Sequence, residues 1–255
     1  MEKKRRPLLA ANWKMYKTLS EMEKYLSSFL DLVAGIDDRD ILLAPNYTCL
    51  NRMVELLNGS NVKAAAQNMF YKDEGAFTGE VSPKMLLDIG VDTVIIGHSE
   101  RRHIFHEDDE LINKKVSSAI SHGMNPVFCI GETLEEREAG ETSGVLENQI
   151  RFGLKGLKDS DIPKIVIAYE PVWAIGTGKT ASLEQIQEAH RLVRDRVAEL
   201  AGEDIAENLR ILYGGSVKPE NVKDIMSLDD VDGALVGGAS LEPESFAKIV
   251  KFEDN

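Results

Sequence analysis

Along the whole chain, short runs of β-branched and aliphatic residues alternate with longer stretches whose apolar positions recur at helical spacing. The short runs predict strands over residues 8–13, 41–45, 62–66, 92–97, 125–130, 164–169, 209–213 and 232–236. The longer stretches predict helices over 18–34, 47–58, 82–89, 108–122, 135–156, 182–201, 219–227 and 243–251. Local signals agree with several of these starts. Thr18 with Glu21, and Ser182 with Gln185, form capping-box patterns. Pro219 and Pro243 stand where a first helical turn tolerates proline.

Strands that alternate with helices predict a parallel sheet. Eight such units fit either a closed (β/α)8 barrel or a large doubly wound sheet. The 255 residues match the roughly 250 typical of the barrel. The first strand–helix turn lacks a G-x-G-x-x-G fingerprint, which lowers the dinucleotide-binding alternative. No linker, low-complexity run or composition shift divides the chain, so one α/β barrel domain over residues 1–255 is expected. Chemistry on such barrels gathers where strands end and loops begin. Asn12, His98, Glu170, Gly214 and Gly237 fall at those ends. The other strands end in Pro45, Gln67 and Glu132, which carry less weight.

Composition narrows the classes further. A net charge of −13 argues against nucleic acid as a partner. It leaves a local anion site open, because exposed charges beyond about 8–10 Å are largely screened at physiological salt. No apolar run approaches the roughly 20 residues needed to cross a bilayer, so no membrane partner is expected. The basic start, Glu2 to Arg6, is followed by too short an apolar stretch for a signal peptide and reads as a solvated tail. Cys49 and Cys129 suggest neither a disulfide framework nor a zinc site, and a reducing, cytoplasmic setting fits them. No ligand cluster calls for a metal or an organic cofactor.

Residues 169–180, Tyr-Glu-Pro-Val-Trp-Ala-Ile-Gly-Thr-Gly-Lys-Thr, carry the most chemistry. A strand ends in the carboxylate of Glu170, Pro171 stiffens the exit, and an apolar loop with two glycines follows. A lid of that kind excludes water, and closing it would desolvate the carboxylate and raise its basicity. His98 ends an apolar strand, and Ser99 to Arg102 look like the first turn of a helix. N–H groups of that turn would keep the imidazole neutral, fit to donate to a carbonyl oxygen. Asn12 and Lys14 alternate about Trp13, which places both polar groups on the inside of a barrel. A lysine there calls for an anion. Gly214-Gly215-Ser216 and Gly237-Gly238 close the last two strands, the recurrent phosphate position of these barrels. The Gly176 N–H is placed to join them. Glu100 is either a simple partner for a cation or an assistant in catalysis, and Arg101 reads as structural. Residues 67–80 form a long loop with Met69, Phe70, Tyr71 and Phe77, apolar enough to suggest a partner surface.

Five motifs in order carry a resemblance across almost the whole chain: Ala11-Asn12-Trp13-Lys14-Met15, Ile96-Gly97-His98-Ser99-Glu100-Arg101-Arg102, the segment 169–180, Tyr213-Gly214-Gly215-Ser216-Val217 and Val236-Gly237-Gly238-Ala239. Together they resemble the triosephosphate isomerase family. The resemblance implies interconversion of dihydroxyacetone phosphate and glyceraldehyde 3-phosphate, in glycolysis and gluconeogenesis, without a cofactor. It implies Glu170 as the base, His98 and Asn12 as polarising groups and Lys14 as the substrate's counter-charge. Glu100 is often treated as assisting catalysis in the family. Gly176, Ser216, Gly237 and Gly238 would hold the phosphate. It also implies a homodimer in which loop 67–80 reaches a second subunit, with Thr78 near the neighbour's Asn12. The residues alone leave two other readings: another phosphate-binding barrel enzyme, such as an aldolase, a lyase or a sugar-phosphate isomerase, and a non-catalytic barrel that binds a phosphorylated metabolite.

Overall fold

The computed structural model describes residues 5–175 and 180–254. Eight parallel strands form one sheet in the order β3-β2-β1-β8-β7-β6-β5-β4. They are β1 (Leu8–Asn12), β2 (Asp40–Ala44), β3 (Val62–Ala64), β4 (Thr93–Ile96), β5 (Asn125–Ile130), β6 (Val166–Tyr169), β7 (Arg210–Tyr213) and β8 (Gly233–Val236). β3 and β4 close the cylinder through Ala66, whose N–H donates to Thr93 O (2.9 Å) and whose carbonyl accepts from Ile95 N–H (2.8 Å). The result is a (β/α)8 barrel.

Eleven α-helices cover the outside among the described residues. They are α1 (Leu19–Val33), α2 (Tyr47–Leu57), α3 (Pro83–Asp88), α4 (Ser99–His103), α5 (Asp109–Ser121), α6 (Leu134–Glu138), α7 (Thr142–Gly153), α8 (Leu183–Ala201), α9 (Glu203–Asn208), α10 (Val222–Met226) and α11 (Pro243–Val250). Both expected capping boxes form. Glu21 Oε2 accepts the Thr18 N–H at 2.7 Å, and Gln185 with Ser182 makes the reciprocal pair at 2.9 and 3.2 Å. The single helix expected over 135–156 is two, because Gly140 adopts φ +74 and ends α6 before α7 starts. The helix expected from Pro219 begins at Val222 instead. Asn221 Oδ1 accepts the Lys218 N–H at 2.8 Å, which holds Pro219 in a turn ahead of the helix.

Strand alternation sorts the side chains into two layers. Leu8, Ala10, Leu42, Ala44, Ala65, Ile95, Val127, Cys129, Val166, Ala168, Leu212 and Leu235 fill the barrel. The alternate residues, including Leu9, Ala11 and Trp13, pack between sheet and helices. Trp13 meets Tyr25 edge-on at 4.7 Å, Tyr25 meets Phe29 at 5.3 Å and Phe29 stacks on Phe246 at 5.4 Å. Such pairs contribute about 0.5–1.5 kcal/mol each beyond area burial. This row ties β1 to α1 and α11 and fixes which face of β1 looks inward, the face that ends in Asn12.

Loop 67–80 departs from expectation in one respect. Met69 is completely buried in its own subunit, and Phe70 packs on Tyr71 (4.5 Å) and Phe77 (4.4 Å). Phe77 is the large apolar side chain that the loop leaves exposed among the described residues, and Met15, Tyr16, Tyr47, Met85, Ile104 and Phe105 are among those exposed on other segments.

Candidate active site

A cavity of about 360 Å³ opens at the carboxyl ends of the strands. Asn12, Lys14, His98 and Glu170 line it together with Gly214, Gly215, Ser216, Gly237 and Gly238. Every expected site residue is thus placed around one space except two. Glu100 stands behind Lys14, and Gly176 lies outside the described residues.

Asn12 ends β1, and its Oδ1 accepts the Lys14 N–H at 3.0 Å. Lys14 takes a left-handed backbone, φ +50, and Gln67 Nε2 donates to its carbonyl at 2.9 Å. Its ammonium pairs with Glu100 Oε1 at 2.8 Å, side chains 22% and 39% exposed. A Cβ built on Gly237 would come within 3.9 Å of that Nζ, so the cation sits against the glycine wall.

His98 caps α4: its Nδ1 accepts the Glu100 N–H at 3.1 Å. That bond needs an unprotonated Nδ1 and leaves the proton on Nε2. Nε2 in turn faces Glu170 Oε1 at 3.0 Å. The helical-turn donor expected from the sequence is therefore present, but it does not act alone. Burial lowers the imidazole's proton affinity, the Glu170 carboxylate raises it more, and the His98 pKa lies above its ordinary value. In the free site the two influences act in opposite senses: the Glu100 N–H bond to Nδ1 calls for a neutral ring, and the Glu170 carboxylate raises the ring's proton affinity.

Glu170 is 2% exposed. Burial pushes its carboxyl up, but His98 and the Ser99 N–H at 3.0 Å outweigh that and hold it below the usual carboxylate range. In the resting site the carboxylate is buried and already satisfied. Gly214 bounds it on another side, where a Cβ would come within 2.7 Å of Glu170 Cγ.

Three contributions escaped the sequence. The Ser99 donor is a backbone group that no side-chain pattern announces. Lys218 adds a second cation to the cavity lining. Glu132, a strand end given little weight, is fully buried, and its Oε1 accepts from Tyr169 Oη (3.1 Å), Trp173 Nε1 (3.0 Å) and Arg137 (2.9 Å). Arg137 also lies over the Trp173 ring at 4.8 Å. These contacts anchor the 3-10 turn Val172–Ala174 at the start of the lid. Among the described residues, no group of three or more His, Cys, Asp or Glu is placed to hold a metal ion.

The family model for triosephosphate isomerase matches residues 7–253. The chain belongs to the triosephosphate isomerase family. It is 53% identical over 250 residues to the triosephosphate isomerase of Citrifermentans bemidjiense, covering 98% of this chain and 100% of the relative. Identity to the triosephosphate isomerase of Fusobacterium nucleatum is 53% over 247 residues, 97% of this chain and 98% of the relative. The triosephosphate isomerase of Dictyoglomus thermophilum is 50% identical over 247 residues, 97% and 99%. All five of the separated motifs contribute residues to the cavity lining.

Proposed function

We propose that this chain interconverts dihydroxyacetone phosphate and D-glyceraldehyde 3-phosphate by proton transfer through an enediolate. The observation that carries the reading is the pairing of Glu170 with His98 at 3.0 Å in a cavity that Gly214, Gly215, Ser216, Gly237 and Gly238 also line. A triose phosphate fills that cavity. Glu170 takes a proton from one substrate carbon, and the same carboxyl returns it to the neighbouring carbon. His98 donates a hydrogen bond from Nε2–H to the substrate oxygen that becomes negative, and the hydroxyl proton of the neighbouring carbon passes to that oxygen through the ring, which ends as it began. Asn12 Oδ1 is occupied by the Lys14 N–H, which leaves its amino group as the donor to that oxygen. Lys14 supplies the counter-charge to the substrate, and Glu100 holds the lysine in place through the 2.8 Å ion pair. The loops at Gly176, Ser216, Gly237 and Gly238 hold the phosphate.

Substrate activates the base by displacement. When Glu170 leaves Ser99 and His98 for the substrate carbon, the influences that hold its pKa down are removed and burial, which raises it, stays.

The active form is proposed to be a homodimer through loop 67–80, because exposed Phe77, Met15, Ile104 and Phe105 leave large apolar side chains in water at roughly 1.5–3 kcal/mol each. A symmetric pair covers the same patch on both copies. Among the described residues no helix is long and apolar enough to cross a membrane, and a cytoplasmic place is proposed on the free, buried Cys49 and Cys129.

A coupled assay for triose phosphate isomerisation tests the reading, run in deuterium oxide to follow exchange into the substrate. Absence of both turnover and deuterium uptake removes it.

A further inference from the structure

Arg102 does not line the cavity, yet its side chain holds the peptide that leads into His98. Its Nε donates to Gly97 O at 2.9 Å. The His98 carbonyl on the other side is held by the main-chain N–H groups of Arg101 and Arg102, at 2.8 and 3.1 Å. The third arm of the guanidinium, Nη2, donates to Cys129 O at 3.1 Å on β5. Asp109, at the start of α5, grips Nη1 at 2.6 Å. The side chain is only 9% exposed.

The backbone it holds needs holding. Gly97 has φ +75, a conformation that residues with a Cβ rarely adopt, and a Cβ there would crowd Cys129 O at 3.2 Å. The chain turns at Gly97 from β4 into α4, and the angle of the Gly97–His98 peptide decides where the imidazole points. Cys129 sits behind the other reactive group. Burial and then the Glu170 charge push its thiol up. Its neighbour across the ladder is Ala168, two residues before Glu170.

We infer that Arg102 is a positioning residue for the isomerisation: its guanidinium sets the height and tilt of the His98 ring by fixing the Gly97–His98 peptide and bracing it against β5. A planar fork with fixed directions suits three acceptors at once, and an ammonium does not. The inference rests on the isomerase reading of the site. Misplacing a reacting group by about 1 Å costs on the order of 10²-fold in rate.

Arg102→Met and Arg102→Lys test it, with steady-state kinetics and nitrogen-15 NMR of the His98 ring. The expected result is a kcat lowered on the order of 10²-fold for Arg102→Met and less for Arg102→Lys, with KM within about threefold, since the phosphate-side backbone is untouched. The His98 ring resonances are expected to move. In the background of His98→Gln, Arg102→Met is expected to cost no further rate, because it acts through the imidazole. Should Arg102→Met fail to fold, Arg102→Lys and Asp109→Asn, which loosens one arm only, carry the same readouts. Lower thermal stability with kcat and ring resonances unchanged would overturn the inference, as would a full additional loss on His98→Gln. An inactive wild-type protein would instead sink the isomerase reading, and the His98 resonances of the variants would still decide whether Arg102 sets the ring.

Discussion

Glu170 Oε1 lies 3.0 Å from His98 Nε2, while Glu170 Oε2 takes the Ser99 N–H at the same distance. The carboxylate and the imidazole that face the substrate are thus each other's partners at rest. Each shifts the other's proton affinity, His98 up and Glu170 down.

That coupling makes stability depend on pH. A raised His98 pKa contributes stability that is fully present below its ordinary 6.5 and is lost as pH rises through the folded value. A lowered Glu170 pKa contributes stability present above its ordinary 4.5 and lost as pH falls through the folded value. The pair therefore stabilises most between those two ordinary values. Denaturant unfolding of ligand-free wild type and Glu170→Gln from pH 4 to 9 is expected to show the largest gap in that window. A gap that grows steadily above it contradicts the coupling.

Glu170→Asp is expected to keep the fold and lose rate. The carboxylate retracts by one methylene, roughly 1 Å, and kcat is expected to fall on the order of 10²-fold. Circular dichroism and steady-state kinetics on one preparation check both halves. Full activity in this variant removes Glu170 as the base.

Glu132 holds three donors on one buried oxygen. Glu132→Leu leaves Tyr169, Trp173 and Arg137 without that acceptor, and breaking a buried charged contact of this kind costs about 3–5 kcal/mol. The midpoint of chemical unfolding is expected to drop accordingly, and Trp173 fluorescence is expected to change in the folded protein. An unchanged midpoint shows that the lid entrance is held by packing alone.

Replacing Phe77 and Thr78 with aspartate is expected to give monomers with little activity, although both residues are remote from Glu170 in the sequence and exposed in the isolated chain. Sedimentation velocity and the isomerase assay on that variant decide it. A fully active monomer shows that each barrel completes its own site.

Much of the site was legible because strand alternation is strict. Period two along β1 places Asn12 on the inward face, and the strand ends at His98 and Glu170 follow from clean apolar runs, whereas Lys14 reaches the cavity from a turn with φ +50 beyond the strand rather than by the expected alternation. What escaped was either backbone or long-range. The Ser99 donor has no side-chain signature, and the grip of Glu170 on His98 joins residues 72 positions apart. Gly140 breaks a helix whose apolar periodicity reads as continuous on both sides. Met69 reads as surface from its loop setting and is core, because loop 67–80 leaves the barrel only after that residue has packed.

The closure at Ala66 has a mechanical consequence. Seven neighbouring strand pairs are joined by ladders, whereas the wall between β3 and β4 is joined at an isolated bridge through a residue outside either strand. The chain leaves that hinge at Gln67, directly into loop 67–80. In the proposed homodimer, a contact that clamps the loop would also brace the cylinder at this bridge, and separating two copies and unrolling the sheet would share one starting point. On dilution, the amides of Ala66 and Ile95 are the strand-edge protons expected to trade with solvent first.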